Sequence, residues 1–428
     1  MGILSAVSVP RALEALALIA QIVVAWRYWN LTWDDSAITL GFARTFAFTG
    51  RIEPTPGSGI VEGYSTTLWM LLMAAVARLV VSPAALLASA KLCTLLLNLA
   101  NVLLIRRWLS LWTPEVLANL VAGTMGCELM LYETINGMET PLMLTLILLM
   151  LLLLSNRGRA AYACYVLLGA AFLLTRWEAA WLLVPFVLAE RSARRAMVSS
   201  VAWLGVFAVS NLVRYRYFGS LVPNTIIAKR GIPYSDPSLG FGQQLLKHLG
   251  AAGSILVYSE VMLVILVGSF VASYFSQHTP LMKPLLAALR ASWQLRFAIL
   301  FLAFSFVLTV AIGPNWGPPA HSFYCGWPFL FCLLLLPVLS DANHRPWIPA
   351  ALCLIAVVQL SSQIREMNST AVPAYMPGAT VAKVALLNNA IADVQSASNH
   401  ASLVFAGPDI GAVLLYSNGV RVIDLGRL

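Results

Sequence analysis

Charge is what this sequence is short of. Only 11% of its 428 residues are Asp, Glu, Lys or Arg, while 60% are hydrophobic and the mean hydropathy is +0.81. Soluble domains carry about 25% charged residues, so an ordinary water-soluble fold is excluded. Cysteine is also scarce: the six residues 93, 127, 164, 325, 332 and 353 lie in or beside apolar runs, without the spacing of metal ligands. No repeat of fixed period is present, which argues against a transporter built from inverted repeats. Nor does the N-terminus look like a cleavable signal, because Glu14 interrupts its apolar stretch and no small-residue cleavage site follows.

What is abundant is membrane-length apolar sequence. Runs such as 12–29, 142–154 and 297–312 belong to roughly ten to twelve apolar segments. The net charge of +9 does not point to nucleic acid, since the basic residues gather in short interhelical loops at 155–160, 190–196, 276–296 and 341–346. That pattern sets orientation, with those loops cytoplasmic. The opposite side then receives 133–140, 175–178, 215–250, 313–322 and everything after about residue 362. Arg106 and Arg107 conflict with this: crossings by both 66–81 and 85–105 would put them outside, unless one of these pieces is juxtamembrane or re-entrant. Two domains are expected, a transmembrane region over 1–362 and an outer α/β tail over 363–428. The tail reads as a helix over 379–394 and strands over 402–405 and 420–424, and stopping at Leu428 leaves it so little core that a truncated or minimal form is expected.

Polar residues near hydrocarbon are expensive, so the outer segments are where chemistry is sought. The first is the loop 29–65, which carries Asp34 and Asp35, a helix over 36–49 with Gly50 as its cap, and Glu62-Gly63-Tyr64-Ser65. N-capping explains one aspartate, and two in a row leave a carboxylate to project elsewhere. The second holds Glu133 and Glu139, with Thr140 as cap and Pro141 as an early helix residue; Glu139 then offsets the helix dipole or binds a ligand. In the third, Arg176 and Glu178 interrupt an apolar run, either as a self-satisfied ion pair or with Arg176 as a phosphate ligand. The fourth runs from Tyr217 through Asn224 to Lys229 and Arg230, cations on the side that normally lacks them. The fifth is a Pro/Gly loop ending at His321, and the last is the turn at Asp409-Ile410-Gly411.

Taken in order, Asp34-Asp35-x-x-Ile38-Thr39, Arg44, Glu62-Gly63-Tyr64-Ser65-x-x-Leu68-Trp69, Gly137-Met138-Glu139-Thr140-Pro141-Leu142, Thr175-Arg176-x-Glu178 and Tyr217-Phe218-Gly219-x-Leu221-x-Pro223-Asn224-Thr225-x-x-x-Lys229 resemble the C-class (GT-C) integral membrane glycosyltransferases. The likeness is to the branch containing the mycobacterial terminal β-(1→2)-arabinofuranosyltransferase and runs over nearly the whole chain. It implies an all-α polytopic protein of the bacterial inner membrane with a small α/β tail and an active site facing the periplasm or cell exterior. The implied reaction moves a sugar, arabinofuranose in that branch, from a polyprenyl-phosphate donor to a cell-envelope acceptor (glycan, lipid or protein) with inversion. A first-loop aspartate is the implied base: Asp34, with Asp35 capping or assisting. Arg176, Lys229 and His321 become ligands of the donor phosphate, and Glu62, Tyr64, Glu139, Glu178 and Asn224 bind acceptor or sugar. A divalent cation is compatible with this and no ligand spacing demands one; nucleic acid is not an expected partner. Two positions depart from the branch: His321 stands where Arg is expected after the Trp-x-Pro step, and the tail ends early. The alternatives are a non-catalytic scaffold of the flagellar motor control type and a lipid-linked sugar transporter.

Overall fold

A computed structural model describes residues 8–30, 34–111, 115–128, 130–156, 158–225, 293–312, 403–407, 410–416 and 420–424, with a few more within 242–246, 361–365 and 389–397. The chain is mostly helical. Long helices begin and end where local chemistry dictates. Pro83 opens α4 (Pro83–Leu109), and the Ser82 hydroxyl caps it by accepting from the Ala85 N–H at 3.4 Å. The Ser192 hydroxyl likewise accepts from the Arg195 N–H to start α11 (Ala193–Phe218), which stops at Gly219 with φ +75. Gly50, φ +71, closes α2 (Asp34–Thr49) as the sequence indicates.

Among the described residues, α4 and α11 are long and apolar enough to cross a membrane. The faces of α4 are reversed relative to a helix in water. Lys91, Thr94, Asn98 and Asn101 are buried, while Leu92, Leu96 and Leu103 are exposed. Such a helix suits a lipid surround and a polar interior. By contrast, α3 (Thr67–Leu79) has 13 residues, about 20 Å of rise against about 30 Å of hydrocarbon. At that length α3 falls short of a full crossing.

The larger core gathers residues from α1 (Ser8–Arg27), α4, α5 (Glu115–Glu128), α7 (Thr140–Leu154), α8 (Arg159–Leu173), the short helices α9 (Ala179–Leu182) and α10 (Val184–Ala189), and α12 (Trp293–Ile312). At its centre the rings of Phe186 and Phe297 lie 4.6 Å apart. Between α5 and α7 runs α6 (Met130–Asn136). A second core joins α2, α3 and the first turns of α4 to a helix of the tail, α13 (Gly411–Tyr416). This helix links β1 (Leu403–Gly407) to β2 (Val420–Asp424), paired in parallel with Leu403 opposite Val420 and Gly407 opposite Asp424. The two strands expected in the tail are present, with Val413 and Val420 buried in its small core. The helix between them stands where the sequence suggests a turn at Asp409-Ile410-Gly411, and the helix expected over 379–394 lies mostly outside the described residues.

One expectation changes. The expected helix over 36–49 starts two residues earlier, at Asp34, and it is buried around most of its circumference because α3 covers one side and α13 another. Gly41 is why α13 approaches so closely: a Cβ there would meet the Leu414 Cβ at 2.8 Å. Also, α7 begins at Thr140 itself, with Glu139 in the cap position and making no side-chain cap.

Candidate functional site at the mouth of the first loop

Among the described residues, polar groups of the first loop, of 137–139, of 176–178 and of the end of α11, together with Gly411 of the tail, meet in hydrogen-bonded contacts. The first strut is the Gly137 carbonyl, which accepts from the Trp69 indole at 3.0 Å and from the Ser36 hydroxyl at 3.4 Å. The first turn of α2, the start of α3 and the loop before α7 are thereby held together. Gly137 has φ +70, and a Cβ at this position would meet the Ser36 hydroxyl at 2.9 Å. Only glycine serves both demands.

Behind Gly137 lies a buried ion cluster. The Arg176 guanidinium donates from Nη1 to Glu139 and from Nε to Glu178, each at 2.8 Å, with all three side chains less than a tenth exposed. Arg176 sits where α8 has ended and α9 begins, a break that the Leu68 N–H stabilises by donating to the Leu174 carbonyl at 2.6 Å. Glu139 therefore does more than compensate a helix dipole. Of the two readings of Arg176, the structure shows the ion pair, extended to two carboxylates. The trio carries a net charge of −1 when ionised.

A second ion pair stands next to the first. Arg214, near the end of α11, donates from Nε to both oxygens of Glu62 at 2.9 and 3.2 Å and from Nη1 to the Asn211 side-chain carbonyl at 3.1 Å. That same Asn211 oxygen accepts from the Trp177 indole at 3.1 Å. Burial pushes the Glu62 carboxyl above its usual range and Arg214 pulls it back, burial being the larger effect. Tyr64 packs edge-on against Phe42 with centroids 5.4 Å apart, and burial raises its phenol above the ordinary value. The Tyr217 hydroxyl accepts from the Ile52 N–H at 2.9 Å, tying the loop down at its far end.

The two aspartates differ. Asp34 is half-buried, and its Oδ1 accepts from the Gly411 N–H at 2.7 Å, so it holds the start of α13. Arg44, near the other end of α2, donates to the Leu415 carbonyl at 3.1 Å and holds the end of that helix. Opposite charges thus meet opposite ends of one short helix, matching its dipole. Asp35 is exposed at the helix mouth, and its backbone carbonyl accepts from the Thr39 hydroxyl at 3.1 Å.

Of the sequence-derived site residues, Asp34, Asp35, Glu62, Tyr64, Glu139, Arg176 and Glu178 fall among these contacts or beside them. Asn224 is half-buried just after α11, beside the buried Thr225. Lys229 and His321 lie outside the described residues. The sequence reading missed the polar face of α4. Lys91 donates to the Trp29 carbonyl at 2.5 Å, holding the chain just before Asp34, and lies under Gly137. Asn98 donates to the Thr134 hydroxyl, and Asn101 donates to the Pro141 carbonyl. Their spacing, 91, 94, 98 and 101, is one helical face, and it was available in the sequence. Arg214 was missed too, although Asn211, Arg214 and Tyr217 are spaced for one face of α11.

No group of metal-ligand character forms among the described residues. The chain matches no protein-family model and no curated protein.

Proposed function

We propose that the protein is an inverting, polyprenyl-phosphate-sugar-dependent glycosyltransferase that crosses a membrane many times and works at its outer face. One observation carries this reading: among the described residues, two buried ion clusters, Glu139–Arg176–Glu178 and Glu62–Arg214, gather near the first loop, where Asp35 is exposed. A scaffold needs no such gathering of buried ion pairs around one loop. The resemblance of the ordered motifs to the GT-C enzymes agrees with it.

In this reading a first-loop aspartate takes the proton from an acceptor hydroxyl as the hydroxyl oxygen attacks the anomeric carbon. The bond from that carbon to the phosphate oxygen breaks, and polyprenyl phosphate leaves as the anion. Asp35 is better placed than Asp34, because it is exposed while Asp34 already accepts an N–H from the tail. The Glu139–Arg176–Glu178 cluster holds the site's floor and supplies no net positive charge. Charge stabilisation of the leaving phosphate therefore falls first to Lys229, with His321 standing where the resemblance expects Arg and, as a neutral imidazole, making a weaker clamp. Glu62, Tyr64 and Asn224 line the acceptor and sugar side.

The test is donor turnover by purified protein in nanodiscs, offered a panel of radiolabelled polyprenyl-phosphate sugars. Release of polyprenyl phosphate that Asp35→Asn abolishes, with Asp34→Asn retaining a measurable fraction, supports the assignment. The reverse ranking returns the base to Asp34. No turnover of any donor, with both variants folded and functional in cells, gives the lead to the scaffold.

A further inference from the structure

At the opposite end of the helices from the first loop, a cavity of about 450 Å³ opens between the end of α7, the start of α11 and the start of α12. Its walls combine apolar Leu111, Leu154 and Trp293 with charged Glu190, Arg191 and Arg195. Arg191 is exposed, its guanidinium carbon 5.9 Å from the centre of the Trp293 ring. Arg195 stacks on Tyr162 at 5.0 Å. Glu190 is pinned by one oxygen, Oε1, which accepts from the Arg191 and Ser192 N–H groups at 3.1 and 3.4 Å. Its other oxygen, Oε2, is buried and has no hydrogen-bond partner among the described residues.

We infer that this cavity is a binding site for a phospholipid headgroup whose phosphate carries a hydrogen-bond donor. The two guanidiniums suit a phosphate, by fork geometry and by charge. A buried carboxylate oxygen without a donor is costly to leave unmade, and an ammonium or hydroxyl on the same headgroup satisfies it. The occupant is a lipid rather than a free phosphate because of what adjoins the cavity. Met197, Val201 and Leu204 are exposed at helical spacing along the next turns of α11, giving an apolar track for an acyl chain. Basic residues at this end match the anionic cytoplasmic leaflet. The inference rests on the membrane reading of the helices and not on sugar transfer, so a failed donor assay leaves it standing.

Native mass spectrometry of the full chain in detergent, equilibrated with defined lipids, tests it. Phosphatidylethanolamine and phosphatidylglycerol should be retained about tenfold more than phosphatidylcholine, whose quaternary ammonium donates nothing. Arg191→Ala should lower retention of all three about tenfold. Glu190→Ala should erase the preference over phosphatidylcholine, a discrimination that general loosening of the fold would not produce. Equal retention of phosphatidylcholine by wild type, or unchanged retention by Arg191→Ala, overturns the site. Displacement of bound lipid by millimolar inorganic phosphate overturns its assignment to a lipid.

Discussion

Two ends of the same helical body handle charge in opposite ways. At the first-loop end, Arg176 is locked between Glu139 and Glu178 with side-chain exposures of 5%, 1% and 7%. At the far end, Arg11 faces Glu115 at 3.6 Å with exposures of 65% and 68%, while Arg106, 41% exposed, pairs with a Glu14 that is itself only 7% exposed, an intermediate case. The chemistry is the same and the surroundings are not. Removing one partner from a buried cluster strands an uncompensated charge, whereas exposed pairs are screened by water and contribute little. The first arrangement is suited to fixing geometry, the second only to orienting the chain.

The sharpest way to break this contrast is Arg176→Met. It should destabilise the protein by about 3–5 kcal/mol, read as loss of folded yield or a large drop in Tm. Adding Glu139→Gln and Glu178→Gln should restore part of the loss, since the stranded charges are gone. If Arg176→Met is as mild as Arg11→Ala, the two ends do not differ as claimed.

Next in size is Arg214→Met, which removes the counter-charge of Glu62. Burial already raises the Glu62 carboxyl, so the folded state binds its proton more tightly than the unfolded state does. Stability from such a group is full below its ordinary range and falls as pH rises through the folded value. Without Arg214 that value rises further. The Tm deficit of Arg214→Met should therefore be larger at pH 8 than at pH 5, and an equal deficit at both would separate Glu62 from the pair.

A third effect concerns the tail. In Gly411→Ala, the new Cβ would lie 2.3 Å from the Asp34 carbonyl oxygen and 2.7 Å from its carboxylate. The helix α13 must shift off α2, and limited proteolysis should then cut near 408–418 faster than in wild type, while the Tm changes only modestly. Smallest of all is Arg11→Ala at the exposed end, expected to change stability by less than about 0.5 kcal/mol in thermal unfolding.

How much of this was legible depends on distance along the chain. The cap at Gly50, the two tail strands and the polarity of each outer segment are local, and the residues show them. The Arg176–Glu178 pair is two residues apart and was one of the readings offered. That Glu139 completes it was hidden, because a helix dipole explains a first-turn glutamate equally well. The polar face of α4 was readable from its spacing, yet it was submerged in a run whose mean hydropathy is all that a span search weighs. The different settings of Asp34 and Asp35 were hidden too, because nothing local shows Gly411 coming to meet Asp34.

That last contact joins positions separated by 377 residues. Chains grow at about 5–20 residues per second, so roughly 20–75 s pass between the emergence of Asp34 and the emergence of its partner. For that interval α2 lacks one of its two covering helices. The Gly41 face and the Asp34 carboxylate wait exposed to water, chaperones and proteases. The site is thus a late product of synthesis, assembled long after its first residues are in place.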